Sequence, residues 1–145
     1  MNQKPHSSSS LGSTLQTCSL LVTADSIQTY GELTNDFNPL HVDAEFAATT
    51  PMGRQIAHGT MSLCLIFQCI ARNFGGAALA DVALDVRFVK PVFIGDTVTA
   101  GGEANAEQPG QWNVWVRGDD SVDRIVGSFH LNEQDNATGG ERNVS

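Results

Sequence analysis

The chain contains few of the residues that build disulfide scaffolds or thiol-ligated metal sites. It has three cysteines in 145 residues, Cys18, Cys64 and Cys69. An odd number without C-x-x-C spacing argues against a disulfide framework and against a structural zinc site. Cys64 and Cys69 fall within an apolar run, so we expect them to be buried, reduced thiols. Reduced cysteines in turn favour a reducing compartment, and we expect the protein to be cytoplasmic.

Positive charge and long apolar runs are also scarce. Eight Lys and Arg residues against sixteen Asp and Glu residues give a net charge of -8. This balance argues against nucleic acid or an anionic membrane surface as the main partner. No apolar stretch reaches the roughly 18–20 residues that a membrane span needs. The N-terminus has no apolar segment after Lys4, so we expect no secretory signal. We therefore predict no nucleic acid and no membrane partner.

The length of the chain fits a single domain with a real hydrophobic core. Its beginning is rich in serine and its end is polar. Both compositions are typical of chain that cannot bury enough apolar surface to fold. We therefore expect a flexible N-terminal tail over residues 1–14, one domain over residues 15–132 and a flexible C-terminal tail over residues 133–145.

The hydrophobic pattern predicts one buried helix and several strands. Residues 60–74 include ten apolar residues among fifteen, so this helix should be covered by protein on most sides. Shorter helices are expected over residues 26–33 and from residue 38 onward. Strands are expected at residues 16–22, 81–89, 96–106, 111–118 and 124–132. This order predicts an α+β fold, an antiparallel sheet wrapped around a central apolar helix. Because the sheet would have open edges, we expect dimerisation by edge pairing.

A polar cluster surrounds one Asn-Pro turn in the stretch "GELTNDFNPLHVD", residues 31–43. On a continuous helix Asp36 and His41 would lie about 140° apart and could not converge. Pro39 disfavours helical geometry at the preceding residue, and Asn38 is suited to cap the helix that follows. With this break, the carboxylate and the imidazole can face one small volume. Together they would form a general acid–base pair acting on one water molecule.

Each of these residues also has an ordinary structural explanation. Asn38 could serve only as a helix cap, and His41 could be a histidine whose hydrogen bonds are satisfied within the protein. A calcium loop starting at Asp36 would need Gly at its sixth position and Glu at its twelfth, where the chain has His41 and Ala47. A zinc site has no further Cys or His pair at ligand spacing. We therefore predict no metal ion and no cofactor.

A second polar segment, "IAHGTM" at residues 56–61, opens the buried helix. Gly59 lets a ligand approach the backbone closely. Its N–H is among the unpaired donors of a helix N-terminus, where negative charge is stabilised. The alternative is that His58 and Gly59 form only a tight helix entry.

These two segments resemble a known family. "LTNDFNPLHVDAEFAATT" followed by "RQIAHGTM" is similar to the MaoC-like, (R)-specific enoyl-CoA hydratase and dehydratase family. The signature of that family is Ser/Thr-x-Asp-x-Asn-Pro-x-His with a downstream Ala-His-Gly. "VRFVKPVFIGDTV" at residues 86–98 also resembles the strand–turn–strand that follows the family's central helix. The resemblance covers about residues 15–131 and implies a hot-dog fold, usually a homodimer with an acyl-CoA tunnel near the subunit interface.

The resemblance also implies roles for five residues. Asp36 and His41 match the catalytic pair, and Asn38 matches the supporting amide. Gly59 matches the N–H donor to the thioester oxygen, and His58 matches a position beside the acyl chain; we expect Asn38, His58 and Gly59 to bind substrate.

Two positions depart from the family pattern. One is Phe67 in the central helix, a region where some members place a small hydroxyl residue near the substrate. The other is Asn35, which stands where many members have Gly before the catalytic Asp. This difference could alter the turn that carries Asp36.

The implied reaction is reversible hydration of a trans-2-enoyl thioester to a (R)-3-hydroxyacyl thioester. The expected partner is an acyl-CoA or acyl-carrier-protein thioester, and the sequence leaves the choice open. Two alternatives remain, an acyl-CoA thioesterase on the same fold and a non-catalytic acyl-CoA binding protein. The order of the motifs argues against a thioesterase, and a pure binder would not require both Asp36 and His41.

Overall fold

A computed structural model of the chain describes residues 12–132. The helices are α1 (Ala24–Thr34), α2 (Pro39–Val42), α3 (Ala44–Ala48) and α4 (Gly59–Phe74), and a 3-10 turn spans Gly76–Ala80. The strands are β1 (Cys18–Leu21), β2 (Val82–Phe88), β3 (Thr97–Ala104), β4 (Gln111–Gly118) and β5 (Asp123–Leu131). Most of the expected N-terminal tail and the whole expected C-terminal tail lie outside the described residues. Hydrogen bonding to the rest of the domain begins before residue 15, because the N–H of Ala104 donates to the carbonyl of Ser13 at 2.8 Å.

The five strands form one antiparallel sheet in the order β1-β3-β4-β5-β2. Alternate residues of the central strands point toward α4, among them the fully buried Val98, Ala100 and Val116. All five strands arise where the sequence predicted them. The outer strands are β1 and β2, so each has one edge without a neighbour among the described residues.

Helix α4 lies against the sheet and contacts β1, β3 and β4. Its buried side includes Ile66, Cys69 and Ile70, none of which is exposed to solvent. The helix ends at Phe74 because Gly75 follows in the left-handed region, with φ 89°. The predicted α+β architecture, a sheet wrapped around an apolar helix, is confirmed.

The expectation that both helix cysteines are buried is wrong. Cys64 is exposed and lies in line with Gln68 and Arg72, which are also exposed. Residues four apart share a helix face, so these residues form one solvent-facing stripe that a count of apolar residues overlooks. Cys69 is buried, and its burial, with Cys18 nearby, raises the pKa of its thiol to about 11.

The shorter helices differ from the prediction at their ends. Thr23 caps α1 by accepting the N–H of Ser26 at 3.0 Å, so the helix begins at Ala24, two residues before its predicted start. Near the end of α1, Leu33 is 79% exposed, whereas Ile27 is buried. The helix expected from residue 38 is two helices, because Asp43 is extended and its side chain caps α3. Within the described residues no helix is long and apolar enough to cross a membrane.

Candidate active site

The turn after α1 carries Asp36 toward the centre of the site. Asn35 ends α1 in the left-handed region, with φ 54° and ψ 37°. Asn enters this region more readily than other side chains apart from Gly, so the difference from the family pattern at this position preserves the turn. The turn packs closely on α1, because a Cβ atom at Gly31 would lie 3.0 Å from the carbonyl oxygen of Asp36.

The Asn-Pro step then starts a new helix. The Asn38 side chain accepts the N–H of Leu40 at 3.0 Å, and Pro39 occupies the first position of α2. The N–H of Asn38 in turn donates to a carboxylate oxygen of Asp36 at 3.2 Å. Asn38 therefore acts as the expected cap. Its role as a substrate-binding amide stays a prediction.

The break in the helix brings three side chains together. One carboxylate oxygen of Asp36 and one ring nitrogen each of His41 and His58 lie within 4.8 Å of one another. Asp36 is exposed, His41 is half-buried and His58 is buried. The predicted convergence of Asp36 and His41 is therefore present, with His58 as a third member.

Backbone carbonyl groups orient both imidazole rings. His41 Nδ1–H donates to the carbonyl of Ile56 at 2.8 Å, because a carbonyl oxygen can only accept. His58 Nε2–H donates in the same way to the carbonyl of Asp36 at 2.9 Å. The two rings stack with centroids 4.0 Å apart and planes 28° apart. These contacts leave Nε2 of His41 as the ring nitrogen free for chemistry.

The three side chains fit a bound water better than a metal ion. A metal ion lies in the plane of each imidazole that binds it, about 2.0–2.1 Å from the nitrogen. Since the rings of His41 and His58 are stacked, an ion in the plane of one ring lies well out of the plane of the other. A water molecule can instead bridge the carboxylate and one imidazole.

Gly59 begins α4 beside this cluster. Its N–H has no acceptor among residues 12–132 and is one of the free donors of the helix N-terminus. The ring of Phe88 lies over it, because a Cβ atom at Gly59 would be 3.1 Å from that ring. A developing oxyanion could therefore meet a backbone donor between the histidines and Phe88.

The cluster borders a cavity of about 350 Å³. Its lining residues include His41, His58, Gly59 and Ser62. The remaining lining residues are Met52, Ile56, Ala57, Phe88, Val89, Lys90, Pro91, Val92, Arg124 and Ile125. Asp36 is not part of this lining and reaches the cavity only through its neighbours in the cluster. The lining is largely apolar, which suits an acyl group.

A second polar cluster touches the same cavity. Arg124 is buried, and its guanidinium donates to a carboxylate oxygen of Asp120 at 3.0 Å and to the carbonyl of Val122 at 2.8 Å. Asp96 lies 3.8 Å from the same guanidinium. The hydrogen bond from Arg124 holds the pKa of the Asp120 carboxyl below its ordinary value. No sequence pattern predicted this cluster, because Asp96 comes from the loop before β3 whereas Asp120 and Arg124 come from the turn and strand after β4.

Sequence reasoning also missed several residues that support the site. The carbonyl of Ile56 orients His41. Because any residue can supply a backbone carbonyl, the identity of the Ile56 side chain does not indicate this role. Tyr30 contacts His58, with ring centroids 5.0 Å apart. Gly31 could have been noticed, because a glycine inside a helix is unfavourable and usually has a packing reason.

The model of the MaoC like domain family matches residues 7–124 of the chain. The chain belongs to this family. Of the curated relatives, the (R)-specific enoyl-CoA hydratase of Aeromonas caviae is 37% identical to this MaoC-like domain over 83 residues, which are 57% of this chain and 62% of that protein. The 3-hydroxybutyryl-CoA dehydratase of Methylorubrum extorquens is 34% identical over 77 residues, 53% of this chain and 49% of that protein.

A solved structure of a relative matches the fold of this MaoC-like domain. The (R)-hydratase from A. caviae involved in PHA biosynthesis superposes with a TM-score of 0.70 and 27% identity, covering 87% of this chain and 99% of that chain. The expected hot-dog fold is therefore confirmed. The sequence matches cover about half to three fifths of the length of the curated relatives.

Proposed function

We propose that this MaoC-like domain reversibly hydrates a trans-2-enoyl thioester, with CoA as the carrier, to a (R)-3-hydroxyacyl thioester. The observation that carries this proposal is the meeting of a carboxylate oxygen and two imidazole nitrogens within 4.8 Å. The cluster stands at the N-terminus of α4 and borders an apolar cavity. The relatives named above are a hydratase and a dehydratase of CoA thioesters, which are the two directions of one reaction.

In the proposed reaction Asp36 and His41 share the proton transfers. Ionised Asp36 takes a proton from water as the water oxygen bonds to the β-carbon of the enoyl group. His41 gives a proton from Nε2 to the α-carbon on the same face. Since Nδ1–H of His41 stays bonded to the carbonyl of Ile56, the ring must enter this step as imidazolium and leave it neutral. Proton transfer from Asp36 to His41 then restores both groups.

The negative charge that develops on the thioester oxygen requires a donor. The free N–H of Gly59 supplies one, and the helix dipole of α4 adds positive potential at the same place. Loss of one oxyanion donor typically costs about 3 kcal/mol of transition-state stabilisation. Asn38 remains a proposed contributor to substrate binding.

The alternative with the closest chemistry is thioester hydrolysis. It would require Asp36 to direct water at the carbonyl carbon rather than at the β-carbon. A carboxylate and an imidazole that meet over one volume favour paired proton transfer across a double bond. A non-catalytic binding protein would need neither group oriented.

The experiment that tests the proposal is hydration of crotonyl-CoA, followed as loss of the enoyl absorbance. We expect Asp36→Asn and His41→Ala each to lower kcat by about 10²–10⁴-fold, the usual contribution of general acid–base catalysis. His130→Ala is the control, because this exposed histidine of β5 lies outside the cavity and should leave the rate unchanged.

Two results would contradict the proposal. Normal turnover by Asp36→Asn or by His41→Ala would contradict the assignment of these two residues as the acid–base pair. Release of free CoA by the unmodified protein, measured by chromatography, would point to the thioesterase instead.

We also propose a homodimer and a cytoplasmic location. The unpaired outer edge of β2, which ends at the exposed Phe88, supports pairing with a second copy. A solution mass of one chain, measured by light scattering, would exclude the dimer. The cysteines at positions 18, 64 and 69 are free thiols, which supports a reducing compartment; cell fractionation would test the location.

A further inference from the structure

His58 is a polar residue in an unusually buried position. It precedes the first residue of α4 and is only 2% exposed to solvent. A residue at this position commonly caps the helix with its side chain, but the His58 ring makes no such bond. The ring is therefore directed to other contacts.

One of these contacts anchors the peptide that carries Asp36. His58 Nε2–H donates to the carbonyl of Asp36 at 2.9 Å, joining residues 22 positions apart in the chain. The carbonyl can only accept, so the hydrogen on His58 is assigned to Nε2. The bond ties the loop of the carboxylate to the N-terminus of α4.

The second contact supports the face of His41. The rings of His41 and His58 stack at 4.0 Å between centroids. His41 is therefore held at one edge by the carbonyl of Ile56 and on one face by His58. Tyr30 packs against the His58 ring, and its hydroxyl donates to Thr60 at 2.7 Å, so the supporting ring is itself restrained.

The two ring nitrogens of His58 are poorly placed for proton transfer. Nδ1 is buried and has no hydrogen-bond partner within the described chain. Nε2–H is already committed to the carbonyl of Asp36. His58 also lines the cavity, but with Nε2–H bonded to a carbonyl and Nδ1 buried, we expect the ring to act on the reaction through the groups it holds rather than by proton transfer.

We infer that His58 is a positioning residue that sets the distance and orientation between the Asp36 carboxylate and the His41 imidazole. This inference rests on the proposed function, since it takes Asp36 and His41 as the reacting pair. It replaces the expectation that His58 chiefly contacts the acyl chain. A displacement of about 1 Å in a reacting group can cost about 10²-fold in rate, so a residue of this kind is felt mainly in kcat.

Two substitutions separate the two contacts. His58→Gln keeps an N–H donor near the position of Nε2 but removes the stacking face. His58→Phe keeps an aromatic face but removes the donor and leaves the Asp36 carbonyl unpaired. We expect each to lower kcat for crotonyl-CoA hydration by about 10–100-fold, with KM changed by less than about threefold.

The matched controls are His130→Gln and His130→Phe, the same exchanges at an exposed histidine of β5. They should leave kcat and KM unchanged. Thermal unfolding of all four variants reports whether each is folded. A loss of thermal stability at His58 with unchanged kcat would overturn the inference, because that is the result for an ordinary core residue. A change confined to KM would also overturn it, because it would indicate a substrate contact.

A measurement on the unmodified protein tests the inference without depending on whether the His58 variants fold. Nitrogen-15 spectra of the imidazole rings should show the hydrogen on Nε2 in His58. A hydrogen on Nδ1 instead would remove the bond to Asp36 and overturn the inference. If Asp36→Asn and His41→Ala are inactive while both His58 variants keep the normal kcat, only the positioning role fails. If Asp36→Asn and His41→Ala are active, the proposed function fails.

Discussion

Two polar clusters face one cavity, and their hydrogen bonding differs. In the first, formed by Asp36, His41 and His58, the carboxylate is exposed and one ring nitrogen of His41 is free. In the second, formed by Arg124, Asp96 and Asp120, a guanidinium is surrounded by carboxylates and a carbonyl. The first cluster keeps polar atoms available, whereas the second uses almost all of its own.

The difference separates chemistry from structural support. A paired buried charge holds chain segments together, and Arg124 joins the loop before β3 to the turn between β4 and β5 through its two terminal nitrogens, while its Nε has no partner within the described chain. Groups that remain unpaired next to a cavity cost stability but can act on a ligand. Substitutions in the two clusters should therefore affect different measurements.

The largest expected effect on stability is at Arg124. Arg124→Ala removes a side chain that is only 8% exposed and leaves the Val122 carbonyl without its donor. We expect the free energy of unfolding to fall by about 2–3 kcal/mol in urea titrations. The loss stays below that of a fully buried ion pair because the Asp120 side chain is 51% exposed and can be hydrated.

Arg117→Ala provides the matched control. Its ion pair with Asp123 is at the surface, with both side chains more than a third exposed. It should cost less than about 1 kcal/mol. Asp36→Asn should change stability by less than about 0.5 kcal/mol despite its large effect on kcat. The comparison breaks down if Asp36→Asn destabilises the fold as much as Arg124→Ala does.

A smaller effect is expected at Gly59. In Gly59→Ala the new methyl group meets the ring of Phe88 at 3.1 Å, beside the proposed oxyanion donor. Phe88 is half-exposed and can move, so the fold should survive. We expect kcat/KM for crotonyl-CoA to fall about tenfold, which corresponds to about 1.4 kcal/mol of transition-state stabilisation.

Gly76→Ala is the comparison for this change, because a Cβ atom there meets nothing within 4 Å. It should leave kcat/KM unaltered. An equal loss in both variants would show that the effect at Gly59 is not local to the oxyanion site.

The smallest effect concerns the acid sensitivity of the Arg124 cluster. The pKa of Asp120 is lowered by the hydrogen bond from Arg124, starting from an ordinary value of 3.8. A carboxyl with a lowered folded pKa stabilises the protein above its unfolded pKa, and this contribution is lost as the pH falls through the folded pKa. The difference in urea midpoint between the unmodified protein and Asp120→Asn should therefore be present at pH 7 and shrink below about pH 4.

Asp119→Asn makes the same charge change one residue away without contacting Arg124, and so corrects for net charge. A midpoint difference for Asp120→Asn that is independent of pH would contradict the assigned interaction.

The sequence predicted the parts of the fold that depend on periodicity and on local motifs. The five strands and α4 follow from alternation, apolar content and glycine stops. The meeting of Asp36 and His41 follows from the Asn38-Pro39 break, which is a local feature. The exposure of Cys64 could not be read from apolar content alone, because it depends on which helix face the sheet covers.

The long-range contacts of the site could not be predicted from the sequence, for a physical reason. The bond from His58 to the Asp36 carbonyl and the one from His41 to the Ile56 carbonyl both end on backbone atoms. Every residue carries such an acceptor, so side-chain identity gives no indication of the partner. Arg124 is a similar case, since β3 and β4 lie between its carboxylate partners Asp96 and Asp120 along the chain.

The segment from Asn35 to His41 has no spare residue. Asn35 makes the left-handed turn, Asp36 supplies the carboxylate, Asn38 and Pro39 start α2, and His41 falls in its first turn. An inserted or deleted residue would rotate the imidazole away from the carboxylate by about 100°, the angular step of a helix. We therefore expect an added residue to be tolerated elsewhere in this chain, for instance between α3 and α4, but not between these two side chains.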